Sequence, residues 1–556
     1  MPLKEPWSES DRYVPRTVVQ PLQRIMRHEA AGGIVMLAAA LVAIAWANSP
    51  WSASYAEVWQ TPLRVELGDL VHLDHLSLQT WVNDALMTVF FLLVGVEIKR
   101  EVVHGDLRGV RAVALPVVAA LGGMVVPAAI YWSLNAGGAG AEGWAVPMAT
   151  DIAFAVGVVT LAGERVPLPA KVFLLTLAVA DDIGAIVVIA AFYTGALAWG
   201  WLACAAVGLA AIFALRRGDV QSLAPYLAVG AFAWLALLES GVHATLVGVA
   251  LGLLTPAWPL RSPRLFPPEA RRVANRVEAA YYDRVLTRAE FAENEQTIAE
   301  VARLAMLSTS PLERLERALS PWVAYVVVPV FALANAGVAL TGEALGGLVS
   351  EPVTAGVMLG LVVGKTVGVL GATALAVRLG IGRLPADTTW RHVLGLATTA
   401  GVGFTVALFV ASLSFDTTAA SDAAKVGILT GSTLAGVLGF LLLRTAPVAA
   451  GAGGRVPTGA AAGATAGAPD GPPVVVPSVT SAFSSRSRPS WRPRSRVKPL
   501  VTFAARPVVR RGPRAAQEGR SPAPPGPGAP PPHGPRPAGW ARPVRAGPRS
   551  GRRRRR

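Results

Sequence analysis

The sequence predicts an all-α membrane protein of about twelve transmembrane helices, and three observations predict it. Hydrophobic residues make up 53% of the chain and charged residues 15%, with a mean hydropathy of +0.46, which is more apolar surface than a soluble domain hides. Apolar runs long enough to cross ~30 Å of hydrocarbon recur as far as residue 448. Between those runs Lys and Arg fall on alternate connections, as they do when one side of a bundle faces the cytoplasm.

The runs lie at 30–48, 80–98, 112–133, 143–163, 170–194, 199–215, 223–238, 241–255, 320–340, 354–377, 392–415 and 425–444. The basic connections are the N-terminus (Lys4, Arg12, Arg16, Arg24, Arg27), 99–111 (Lys99, Arg100, Arg108, Arg111), 164–171 (Arg165, Lys171), 216–222 (Arg216, Arg217), 256–319 and 378–391 (Arg378, Arg383, Arg391). On the opposite side 49–79 has only Arg64, and 134–142, 195–198, 239–240, 341–353 and 416–424 have none. Both chain ends are therefore expected inside, which supports an even span count independently of hydropathy.

Residues 1–29 form a cytoplasmic N-terminus in this reading. Val18, Leu22, Ile25 and Met26 share one face of a short interfacial helix flanked by Arg16, Arg24 and Arg27. Some thirty polar and amphipathic residues precede the first run with no small-residue cleavage pattern after it, so that run is expected to be retained. Residues 30–448 form the twelve-helix domain, with a long cytoplasmic loop at 256–319 and an external 62–73 segment that reads as a small hairpin or an irregular loop. Residues 449–556 are a Pro/Gly/Ala/Arg-rich tail without periodicity, expected to be disordered. That tail holds 21 Lys+Arg against 2 Asp+Glu, whereas 1–448 hold 30 against 33. The formal charge of +16 is thus the tail's, and it is no sign that the folded part binds nucleic acid. Cys204, the one cysteine, reads as a small core residue.

An ionisable residue at mid-bilayer costs ~2.5–3.5 kcal/mol on insertion scales, so each needs a partner or a purpose. Asp181 and Asp182 are adjacent carboxylates midway along the fifth run, pointing ~100° apart on a helix. One can meet a cation while the other turns toward a neighbouring helix. In the fourth run Pro147, Thr150 and Asp151 sit together, and a proline there kinks the helix and frees carbonyls. Gly401 and Gly403 interrupt the eleventh run, and Lys365 lies deep in the tenth. Singly, each has a structural explanation in an ion pair, a kink or close packing. Together, broken helices in corresponding spans point to a transport site. A buried carboxylate holds a proton or a hard cation such as Na+ but not both, and Asp181, Asp182, the Thr150 hydroxyl and freed carbonyls make an oxygen cage. Exclusive occupancy with alternating access is antiport, and no cofactor is called for. An intramembrane aspartyl protease using Asp151 and Asp182 is disfavoured by the contiguity of Asp181 and Asp182 and the lack of a Gly-x-Gly-Asp segment. A sodium-coupled symporter would need the same cage.

The segments WVNDALMTVFFLLVGVEIKREV (81–102), PMATDIAFAVGV (147–158), LAVADDIGAI (177–186), SGVHATLVG (240–248), SPLERLE (310–316), FALANAGV (331–338), VGKTVG (363–368) and GVGFTVALF (401–409) resemble the NhaA-type sodium/proton antiporters over roughly residues 15–445. The resemblance implies inverted-topology repeats with two broken helices crossing at mid-membrane. It also implies that Asp181 and Asp182 form the ion- and proton-binding pair, Asp182 being the more direct Na+ ligand, and that Asp151 faces the positive half-helix ends. For Lys365 it leaves two roles open: facing the negative ends, or pairing with Asp181 until an ion binds. It further implies electrogenic exchange of cytoplasmic Na+ or Li+ for external H+, serving sodium extrusion and pH homeostasis, in a multi-pass homodimer of the bacterial inner membrane, in contact with lipid. Family pH regulation maps onto Glu97, Arg100, Glu101, Glu316 and His243. For the glutamates juxtamembrane solvation explains as much, and a lone histidine near a span end also reads as structural. Arg317 and Ser320 stand where relatives often carry histidines.

Overall fold

The computed structural model describes residues 31–447 except 64, 68–70, 74–75, 106–109, 196, 261, 263–265, 269, 273–274, 276–287, 341–345, 347–349 and 416. The expected interfacial helix within 1–29 and the 449–556 tail lie outside the described residues, as does part of the 256–319 loop.

The described chain is helical apart from one hairpin. Helix α1 (Ala31–Ala47) is apolar around its whole circumference and turns through 115° into the short α2 (Ser52–Gln60). Strands β1 (Val65–Leu67) and β2 (Val71–Leu73) then pair antiparallel with Glu66 opposite His72, so the 62–73 segment is a hairpin. There follow α3 (Leu78–Val103), α4 (Val110–Asn135), a 3₁₀ segment Ala141–Met148, α5 (Ile152–Ala162), α6 (Leu168–Phe192), α7 (Trp199–Arg217), α8 (Leu223–Leu238) and α9 (Thr245–Leu254). The second half runs through α10 (Arg288–Leu307), α11 (Pro311–Asn335), α12 (Pro352–Arg378), α13 (Trp390–Thr399), α14 (Phe404–Ser414) and α15 (Thr418–Thr445). Among the described residues eight segments are long and apolar enough to cross a membrane, or ten when each bent pair counts as one span. Helices α8 and α9 are shorter apolar helices. The apolar runs fall on these segments, those at 143–163 and 392–415 on two each.

Both bounds of the ninth span need correcting. The ninth span does not begin at 320: α11 starts at Pro311, inside the stretch read as the 256–319 loop. Ser310 caps it by accepting from the Glu313 amide at 3.2 Å, and Pro311 is pre-set for a first helical turn. Glu313, Arg314, Glu316 and Arg317 make that turn too polar for an apolar-run search. The far end stops at Asn335 rather than 340, and the Tyr55 hydroxyl reaches two of its last carbonyls, Leu333 (2.9 Å) and Ala334 (3.1 Å).

The outer faces of the bundle are apolar. Ile34, Leu41 and Val42 are 55–64% exposed on α1, while Ala31, Met36, Ala40 and Ala43 on its other side are buried. Small residues bring helices close, as in-membrane packing requires: a Cβ on Gly95 of α3 would lie 2.6 Å from the Val249 carbonyl of α9. The core gathers around Phe91, Phe331 and Phe409, whose ring centroids lie 5.3 and 6.5 Å from one another through Phe409. Helices α3, α11 and α12 each contain a wide π-type turn, the one in α12 (Gly360–Gly364) immediately before Lys365. Such turns re-aim the side chains that follow them and are frequent at functional sites.

Candidate ion-binding site at the crossing of two broken helices

The fourth span breaks just after Pro147. The 3₁₀ segment ends at Met148, Ala149 is extended (φ −77°, ψ 147°), and α5 begins at Ile152 with Asp151 as its N-cap, accepting from the Phe154 amide at 3.0 Å. The eleventh span breaks between Thr399 and Phe404, and α13 and α14 meet at 45°. The two breaks are bonded to each other. The Asp151 amide donates to the Val402 carbonyl at 2.7 Å and the Thr150 hydroxyl to the Ala400 carbonyl at 2.8 Å. Asp151 Oδ2 in turn accepts from the Thr405 hydroxyl (2.6 Å) and amide (3.2 Å). One carboxylate, 3% exposed, therefore caps the N-termini of both α5 and α14, where the unsatisfied amides carry partial positive charge. Both its oxygens are engaged, one by the Phe154 amide and the other by Thr405.

Lys365 lies beside this crossing. Its Nζ donates to Asp181 Oδ2 at 2.6 Å and to the Thr150 hydroxyl at 2.9 Å, with both charged side chains fully buried. Through Thr150 the ammonium also bears on the Ala400 carbonyl at the C-terminal end of α13. Lys365 is thus bonded to Asp181 directly and reaches the Ala400 carbonyl only through Thr150. On α6 the ~100° step turns the next residue elsewhere: Asp182, but not Asp181, lines a cavity of about 290 Å³ together with Thr150, Asp151, Glu97 and Thr405. Asp182 Oδ1 is buried with no hydrogen-bond partner, and so is Asp181 Oδ1. A buried acceptor without a donor costs ~1–3 kcal/mol or more if charged, so Asp182 is set up to take a proton or a cation.

Of the residues mapped to pH regulation, four share the basic end of the bundle. Arg100 pairs closely with Glu316 and lies 3.5 Å from Glu101, and the Ser320 hydroxyl donates to the Glu316 carbonyl at 2.7 Å. Glu97, one turn earlier on α3, lines the ion cavity itself, as does Ser320. His243 is not brought there. It lies in the turn between α8 and α9, at the end without arginines.

These features converge with a family assignment. A family model described as Na+/H+ antiporter 1 matches residues 23–443. The chain belongs to this Na+/H+ antiporter family. It is 45% identical over 439 residues to the Na+/H+ antiporter NhaA 2 of Sorangium cellulosum, covering 78% of this chain and 92% of the relative. The Na+/H+ antiporter NhaA of Anaeromyxobacter sp. is 48% identical over 432 residues, covering 77% and 92%. That of Rhodopirellula baltica is 44% identical over 430, covering 77% and 95%. With its apolar helices, this antiporter-family chain is a multi-pass membrane protein.

Several residues at this antiporter-family site escaped the sequence reading. Thr405 was visible only as the end of a glycine motif, and its partner Asp151 lies 254 positions away. Ser432 of α15 accepts from the Gly403 amide at 3.3 Å, and one serine in an apolar helix gives no signal. His392 is fully buried at the start of α13. Its Nδ1 accepts from the Thr389 amide at 3.0 Å and its Nε2 lies 3.0 Å from the Arg165 carbonyl, joining the second broken helix to the chain that leaves α5.

Proposed function

We propose that this chain exchanges cytoplasmic Na+ or Li+ for external H+ across the bacterial inner membrane, contributing to sodium extrusion and pH homeostasis. The observation that carries the reading is the division of labour on α6: Asp182 faces the cavity with an unpartnered oxygen, while Asp181 is neutralised by the Lys365 ammonium. A cation arriving at Asp182 displaces a proton from it. Asp181 and Thr150 complete the oxygen cage when Lys365 withdraws, which couples cation binding to loss of the ion pair. Moving more than one proton per Na+ makes the exchange electrogenic, driven by membrane potential as well as by pH.

The breaks at 149–151 and 401–403 supply the pivot for alternating access, with their end charges balanced by Asp151 and Lys365 so that the crossing stays in low dielectric. Regulation by pH is placed at Glu97, Arg100, Glu101 and Glu316, which join α3 to α11 beside the cavity, with His243 as a second, separate contributor. The architecture proposed is twelve spans in inverted-topology repeats over 30–448, both termini cytoplasmic, the 62–73 hairpin serving a homodimer and 449–556 forming a basic tail. The test is a pH gradient in everted membrane vesicles. Adding Na+ or Li+ should collapse it with the intact chain and leave it standing with Asp182→Asn. Undiminished collapse in that variant would overturn the site.

A further inference from the structure

A second concave site lies apart from the ion cavity, between the last turns of α12 and the start of α13. It is a groove of about 570 Å³ walled by Leu370, Ala374, Val377 and Leu394 and rimmed by Arg378, Trp390 and Arg391. The α12 residues follow the helical spacing that puts them on one face. Nearby Leu375 and Leu379 are 56% and 65% exposed, so this side of the bundle looks into lipid. Both arginines are exposed, and neither forms an ion pair among the described residues. Arg378 at the end of α12 suits that helix's own dipole. Arg391 does not suit its helix: it stands in the first turn of α13, where a cation is disfavoured, so α13 gives no reason of its own for it. Trp390, 44% exposed, is the residue type that sits at headgroup depth.

We propose that this groove binds one anionic phospholipid, with its phosphate between Arg378 and Arg391, Trp390 at the headgroup and an acyl chain along Leu370, Ala374, Val377 and Leu394. Charge complementarity selects the occupant. Two unpaired guanidinium groups above an apolar trough, at the end the arginine pattern assigns to the cytoplasm, match an anionic headgroup on its own acyl chain and nothing purely apolar or zwitterionic as well. The bound lipid braces α12, which carries Lys365, against α13, the first half of the second broken helix. The inference rests on the membrane reading of the chain and not on the exchange reaction.

The test is thermal unfolding of the purified full-length protein in detergent, with phosphatidylglycerol, phosphatidylcholine or inorganic phosphate added. Phosphatidylglycerol should raise the melting temperature well above the effect of phosphatidylcholine, and inorganic phosphate should not raise it. Arg378→Gln with Arg391→Gln should cut the rise by half or more, whereas Arg383→Gln, an exposed arginine of the same connection outside the groove, should leave it intact. Ala374→Trp fills the trough without changing charge and should cut the rise as well, so it decides the matter if the double variant fails to fold. Equal rises in the double variant and Arg383→Gln, an equal effect of phosphatidylcholine, or reproduction of the rise by inorganic phosphate would each overturn the proposal.

Discussion

The two breaks at the crossing do the same geometric job with opposite chemistry. Around Ala149–Asp151 the chain is extended and brings a hydroxyl and a carboxylate; around Gly401–Gly403 it brings only backbone and space. Neither of these glycines adopts a left-handed conformation (Gly403 has φ −106°). Gly403 is required because a Cβ there would lie 2.6 Å from the Ala149 carbonyl. At the forward ends one charged partner suffices for two crossing chains, because Asp151 caps both α5 and α14. Putting a second carboxylate in the eleventh span would leave it with no unsatisfied amides to neutralise it.

Variants that upset this asymmetry rank by how much buried charge they strand. Lys365→Ala leaves Asp181 buried without its counter-ion and should destabilise the protein by about 3–5 kcal/mol, read as a lowered melting temperature, and should shift the pH profile of cation-driven proton flux. Asp151→Ala removes the cap of both α5 and α14 and should cost about 1–4 kcal/mol, counting ~0.5–2 for each cap. An equal loss from substituting Thr405 alone would show that α14 dominates. Gly403→Ala should cost about 1–3 kcal/mol by overpacking against the Ala149 carbonyl, with Gly401→Ala at least as costly, since a Cβ there would overlap the Leu361 carbonyl of α12. A Gly403→Ala protein as stable as the parent would mean that the breaks are not in contact. Smallest is Thr405→Val, which loses one hydrogen bond to Asp151 and keeps the amide one, at about 0.5–1.5 kcal/mol.

How far the sequence revealed this site follows from how local each signal is. Asp181 and Asp182 were legible because two carboxylates in an apolar helix are costly wherever their partners lie. The 147–151 break was legible through Pro147. The glycines at 401 and 403 marked a break but not its cause, since the carbonyls they make room for belong to distant segments, Leu361 of α12 for Gly401 and Ala149 for Gly403. Lys365 remained divided between two partners until Thr150 was seen to link them. Glu97 reads in sequence as a juxtamembrane acid near Lys99, yet it lines the same cavity as Asp182, because only the packing of α3 against α6 and α11 decides which side of a helix end is enclosed. The start of α11 was hidden by its polar first turns, which carry the Arg100–Glu316 link.

The claim on which the rest depends is exclusive occupancy of Asp182, and proton release on cation binding measures it most directly. Purified protein in weakly buffered detergent solution, titrated with NaCl or LiCl at a series of alkaline pH values, should release protons in a saturable way, with choline chloride inert and Asp182→Asn silent. Absence of release at every pH, or the same release from Asp182→Asn, would contradict it.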